Sequence, residues 1–114
     1  MTKPEISWED FDKMDIRVGT ILEVLDFPEA RNPAYKLTID FGELGISKSS
    51  AQITVLYEKK ELVGQQILAV VNFPKKQIGK FMSECLVLGV YGNNPKEVTL
   101  IQPKSKIDNG LKLG

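Results

Sequence analysis

The sequence contains no histidine and a single cysteine, Cys85. Without histidine there is no Ser-His or Cys-His nucleophile pair and no mixed Cys/His zinc set, and one thiol cannot close a disulfide within the chain. Cys85 stands at the mouth of an apolar strand, where a small hydrophobe needs no catalytic role. Neither the P-loop pattern nor GxGxxG occurs, so no phosphate cradle of either kind is encoded. Asp15, Asp40 and Glu84 lie near strand ends, but isolated acids of this kind are more often solvated or paired than catalytic. The expectation is a binding protein with no catalytic residue, metal or cofactor.

Long apolar runs are also missing. No stretch approaches the roughly 20 apolar residues of a membrane span, and the first residues lack the apolar segment of a secretory signal. These gaps, with the lone thiol, lead us to expect a cytoplasmic, reducing setting. An excess of either charge is absent too, with 15 basic residues against 15 acidic, which argues against a polybasic nucleic-acid binder held by charge alone. The distribution is uneven, however. Residues 1–30 hold eight acids against Lys3, Lys13 and Arg17, leaving the remainder at plus five. The densest basic window there is Lys75, Lys76 and Lys80, so a dipolar molecule with one weakly basic face is expected.

The 114 residues, 42% apolar and 26% charged, suit one domain over 1–114. Its core is small enough that pairing with a second copy is a natural source of extra stability. Ser7 is a good N-cap with Asp10 three residues on, and Trp8, Phe11 and Met14 then recur at a spacing of three. A short helix over 7–14 is predicted, its apolar stripe serving as a lid on the barrel described below or as a surface for a second subunit. Asp15 to Phe27 reads as a long strand with Ile16, Val18, Leu22 and Val24 in one phase, and Gly19 marks the expected bend or bulge. Tyr35 to Phe41 alternates as its antiparallel partner. Ile46 to Thr54 is a polar third strand whose Ser49, Ser50 and Ala51 allow close approach of a ligand backbone, although a plain solvent-facing strand fits them equally. Val55 to Leu62 has helical residues. Val98 to Gln102 reads as a further strand, Asp108-Asn109-Gly110 as the last turn, and Leu111 to Gly114 as a short strand or dimer contact. Five or more short strands with one helix between the third and fourth give an all-β, five-stranded Greek-key barrel of the OB type, with extra C-terminal strands and an extension over 103–114.

The centre of interest is the run from Gln66 to Leu88. Ile67 to Val71 and Leu86 to Leu88 read as well-buried strands. Between them, Asn72-Phe73-Pro74 opens a connection that carries Lys75, Lys76 and Lys80 among Phe73, Ile78, Phe81 and Met82. Cations beside rings suit a nucleic acid, whose phosphates need positive charge and whose unstacked bases need flat apolar partners. The same pattern describes a solvated loop with its aromatics folded under it, which is the commoner use of three surface lysines.

The sequences DIRVGTI (15–21), FPEAR (27–31), LTIDFG (37–42), SSAQIT (49–54) and VVNFP (70–74), followed by Ser83-Glu84, resemble the EMAP II-like, Trbp-type tRNA-binding domain. SSAQIT with VVNFP is similar to its CsaA-like branch of stand-alone export chaperones. The family's strand-ending asparagine and the serine eleven positions later match Asn72 and Ser83. The pattern departs where synthetase-linked members have Lys-Pro and this chain has Phe73-Pro74-Lys75. It departs again at Leu86, in place of a methionine, and at Gly79, displaced by one with Lys80 following. The resemblance implies a homodimer that binds unfolded or exported preproteins, with tRNA as a further partner and no membrane insertion. For tRNA the expected residues are Asn72, Lys75, Lys76, Lys80 and Ser83, with Arg17, Lys48 and Ser50. Peptide would be held by Phe73, Ile78, Phe81 and Met82, and the second copy by Trp8, Phe11, Met14, Ile107, Leu111 and Leu113. A stand-alone tRNA-binding protein is the alternative reading.

Overall fold

A computed structural model describes residues 2–114. In chain order the elements are α1 (Trp8–Asp12), β1 (Ile16–Asp26), β2 (Tyr35–Asp40), β3 (Ile46–Ala51), α2 (Lys59–Leu62), β4 (Gln66–Val70), β5 (Lys76–Ile78), β6 (Phe81–Ser83), β7 (Leu86–Val87), β8 (Gly89–Tyr91) and β9 (Val98–Leu100). The main sheet has the order β3-β2-β1-β4-β7 and curls into a nearly closed OB-type barrel. Two small hairpins, β5–β6 and β8–β9, stand apart from its ladder.

β1 explains how one strand serves two sides of a barrel. Its first half pairs antiparallel with β4, from Ile16 opposite Val70 to Thr20 opposite Gln66. Its second half pairs with β2, from Thr20 opposite Asp40 to Asp26 opposite Tyr35, so the handover falls at Thr20. The bulge sits between Ile21 and Glu23 rather than at Gly19. The extra residue, Leu22, is half-exposed, and it shifts the phase so that Ile21 and Val24 are the buried residues around it. Gly19 has a different purpose. A Cβ there would lie 2.6 Å from Ile39 Cγ2 and 2.7 Å from Phe41 Cε1, so its missing side chain is what lets those two residues fill the barrel interior.

Two cores result, one on each face of β1 and β4. Ile21, Leu37, Ile39, Phe41, Ile67 and Ala69 belong to the interior cluster. Ile16, Val18, Leu68 and Val70 form the second, covered by Leu88, Ile101 and Leu113. β4 is therefore apolar in both phases because both of its faces are buried.

The covering of that second face is the C-terminal stretch, which lies along β1 inside the same chain. Val18 N–H donates to Leu111 O at 3.0 Å, Gly110 N–H to Val18 O at 2.7 Å, and Leu113 N–H to Ile16 O at 2.9 Å. A polar knot fastens it: Asn109 Oδ1 accepts from Thr20 Oγ1 at 2.7 Å and from Gln66 Nε2 at 3.1 Å. Gly110 has φ +89°, and a Cβ on it would stand 2.5 Å from the Phe41 carbonyl oxygen, a backbone atom with little room to yield. Gly110→Ala is expected to cost about 1–2 kcal/mol, read as a lower urea midpoint with an unchanged m-value.

Four other sequence expectations change. The helix expected over 7–14 is one short turn, closed by the Ser7–Asp10 capping box, and no residue in it is buried, so it does not act as a lid. The helix expected from Val55 shrinks to α2, where only Leu62 is buried; a segment this short has one core contact and little intrinsic helicity. The lysine-bearing connection is an ordered hairpin, β5–β6, turned by Gly79 at φ +60°. Leu86 to Leu88 is not a well-buried strand: β7 has two residues and Leu86 is 47% exposed, because its outer side faces the groove described next.

Candidate binding groove

A groove of about 450 Å³ lies between the β5–β6 hairpin, β7 and the β8–β9 hairpin, within the range of small-ligand sites. The hairpin ladder decides which side chains reach it. Lys76 lies opposite Ser83 and Ile78 opposite Phe81, so these four project from one face of the hairpin, while Gln77 and Met82 project from the other. Lys76, Ile78 and Ser83 line the groove together with Phe73, Leu86, Tyr91 and Val98, and the floor includes Ser50, Ala51 and Cys85.

The seam of the barrel runs beside this floor and is made largely by side chains. Ser83 Oγ accepts from Ser50 N–H at 3.1 Å, and Glu84 Oε1 accepts from Lys48 N–H at 2.9 Å. One backbone bond, Glu84 N–H to Lys48 O at 2.7 Å, lies between them. Below, the fully buried Ser49 hydroxyl donates to Cys85 O at 2.8 Å. Burial pushes the Cys85 thiol up from its ordinary 9.0 to about 11, the Ser49 hydroxyl offsetting part of the rise and the Glu84 carboxylate adding to it. The thiol should be almost inert to alkylation in the folded chain at pH 8 and react freely in denaturant, as mass spectrometry would show. The linkage has a definite sign. Above pH 9 the unfolded chain loses its thiol proton first, so stability falls as pH rises from about 9 to 11.

Of the residues expected to contact tRNA, Lys48, Ser50, Lys75 and Ser83 meet around Glu84 at the seam, and Lys76 lies across the ladder from Ser83. Asn72 is spent on the segment after α1: its Oδ1 accepts from Asp15 N–H at 3.0 Å and its Nδ2 donates to Lys13 O at 2.7 Å. Arg17 is held by Asp15 at 2.6 Å and by Gly110 O at 3.0 Å. Lys75 pairs with Glu84 Oε2 at 3.4 Å, whereas Lys76, Lys80 and Lys48 make no ion pair among the described residues. Ser50 and Ser83 meet at the seam.

Of the four residues expected to hold peptide, Phe73 and Ile78 line the groove, and Phe73 is 49% exposed. Met82 is turned away on the other face of the hairpin. The Phe81 ring packs edge-on against Phe27, centroids 5.3 Å apart, and anchors the hairpin to the end of β1. Lys36 Nζ lies over both rings, 5.1 Å from the Phe27 centroid and 5.9 Å from that of Phe81. This cation on two aromatic faces escaped the sequence reading. Lys36 occupies an ordinary polar phase of β2, and nothing in the spacing brings Phe81 to it. Tyr91 and Val98 also line the groove without a mark in the sequence, where Val98 reads only as the start of a strand and Tyr91 has no assigned place.

For a second copy, Trp8 is 89% exposed, and Met14, Ile107 and Leu111 are each part-exposed. Phe11 is half-buried, and Leu113 is already packed into its own chain's second core. Among the described residues, no group of three or more His, Cys, Asp or Glu side chains is placed to hold a metal ion, and no helix is long and apolar enough to cross a membrane.

An OB-type barrel with a groove flanked by cations is the form of a nucleic-acid or peptide-binding module. Comparison with known proteins assigns the chain to a family. The family model described as "Putative tRNA binding domain" matches residues 16–112, and the chain belongs to that family. Within it the chain is CsaA-like. It is similar to a crystal structure of chaperone CsaA from Bacillus anthracis, with 49% identity and a TM-score of 0.92 over 97% of this chain and 100% of that one. A CsaA chaperone structure from Picrophilus torridus gives 51% identity and a TM-score of 0.90 over 96% and 100%. Among curated relatives, the methionine–tRNA ligase of Bdellovibrio bacteriovorus is 37% identical over 110 residues, 96% of this chain. The chain spans 15% of that ligase's length, so the ligase's own activity belongs mostly to sequence that has no counterpart here.

Proposed function

We propose that the protein is a non-catalytic, cytoplasmic holding module of the CsaA type, which binds unfolded or exported preproteins and works as a homodimer. The observation that carries this reading is the groove itself, an open apolar trough whose Phe73, Leu86 and Tyr91 walls stay accessible. Extended polypeptide needs such walls for alternate side chains. The test is light scattering of a chemically unfolded client diluted into the protein. Suppressed aggregation at near-stoichiometric ratios is expected, and a scattering trace unaffected by the protein would reject the reading. No nucleotide is needed in the assay, because no nucleotide motif is present.

Dimerisation through the α1 surface fits the exposed Trp8 and Met14. Trp8→Asp should then lower the mass found by size-exclusion chromatography with light scattering from two chains to one. tRNA binding is the second activity we propose, favoured by family membership and by the Lys36 cation on its two rings. With Arg17 held and Lys75 paired, Lys48, Lys76 and Lys80 are the cations left among the residues expected to contact tRNA, so a shallow dependence of affinity on salt is expected.

A further inference from the structure

We propose that the groove selects polypeptide segments in which an apolar side chain stands beside a carboxylate, with Lys76 and Ser83 reading the charge. This rests on the holding function above and narrows its ligand. Among the described residues no acidic one lines the groove, and Lys76 is the one charged residue that does. Its neighbour Lys75 is paired with Glu84, while Lys76 has no ion-pair partner among the described residues.

Lys76 and Ser83 are direct cross-strand partners on the groove face of the hairpin, which puts their Cβ atoms about 4.5–5.5 Å apart. The Ser83 oxygen already accepts from Ser50 N–H, so the hydroxyl proton is the group left to give. An ammonium and an O–H donor side by side match the two oxygens of a carboxylate. Next to them the walls are hydrocarbon and aromatic, so the anion must arrive attached to an apolar partner. RNA is the poorer fit, because a phosphate backbone calls for several cations and the groove offers one.

The test uses the full chain and fluorescein-labelled peptides that share a Leu/Ile/Phe centre and carry Glu, Gln or Lys flanks, followed by anisotropy. The Glu-flanked peptide should bind about three- to fivefold more tightly than the Gln-flanked one, the Lys-flanked one more weakly than either, and the spread should collapse in high salt. Lys76→Glu should invert the order. Lys60→Glu, the same change of net charge on α2, should preserve it. Equal binding of all three peptides overturns the charge selection and leaves the holding function standing, whereas no binding by any of them overturns both. Inversion by Lys60→Glu as well would mean that the overall charge is being read, which also overturns the proposal. So would a single-stranded oligonucleotide that displaces the acidic peptide at lower concentration than unlabelled peptide does.

Discussion

Replacing Phe41 by alanine is expected to remove about 3–5 kcal/mol of stability, a large share of what a domain of this size possesses. The ring is 1% exposed and is the largest of the fully buried side chains. It fills the space above Gly19, where even a single added carbon would find its Cε1 at 2.7 Å, so no neighbouring side chain on that strand can move in to fill the void. The backbone around Phe41 is equally committed. Its N–H donates to Gly45 O at 2.9 Å, and its carbonyl is the atom against which Gly110 is packed. The cavity will therefore persist rather than collapse. Thermal and urea unfolding followed by circular dichroism should show the loss, with a melting temperature lower by roughly 10–20 °C. A change below about 1 kcal/mol would mean that the interior repacks, contrary to the geometry.

Phe73→Asp should produce the largest functional loss, about thirtyfold weaker holding of client, as expected when a central aromatic worth about 2 kcal/mol is removed. The substitution places a carboxylate on an apolar wall, close to the side chain that would otherwise receive one from the ligand. Because Phe73 is 49% exposed and lies outside the core clusters, the unfolding midpoint should move little. Client-to-protein ratio at half-suppression of scattering measures the first effect and a urea melt the second. A large drop in stability would show that the ring is packed structure and does not act as a contact. Phe81 shows why this distinction matters: its substitution should act chiefly on folding, since its ring joins the hairpin to Phe27.

The barrel was legible in the sequence because its signals are local. Alternation in Tyr35 to Phe41, the doubly apolar run at 67–71 and the Ser7–Asp10 box each depend on neighbours a few residues apart, and the structure repeats them nearly residue for residue. What escaped depends on contacts across long separations. The bulge at Leu22 follows from fitting β1 to two partners at once, and an interior glycine such as Gly19 carries no mark that tells a bend from a close approach. Leu113 reads equally well as an interface residue or a core residue until the C-terminal stretch is seen lying along β1. The site divides in the same way. Phe73 and Ile78 were legible as apolar residues beside lysines, whereas the separation of Lys76 from Lys75 by hairpin face and by the Glu84 pairing required the register of β5 on β6.

The seam between β3 and the Ser83–Val87 stretch has a consequence for how the molecule breathes. A junction with one backbone bond among its side-chain bonds is easier to part than a continuous ladder, because rotating the Ser83 and Glu84 side chains is enough to release the Ser50 and Lys48 amides. These amides should exchange with deuterated solvent sooner than those of β1 and β4. Anything seated against Ser83 would slow them, so the rate at which this barrel leaks deuterium at Ser50 is itself a gauge of whether its groove is filled.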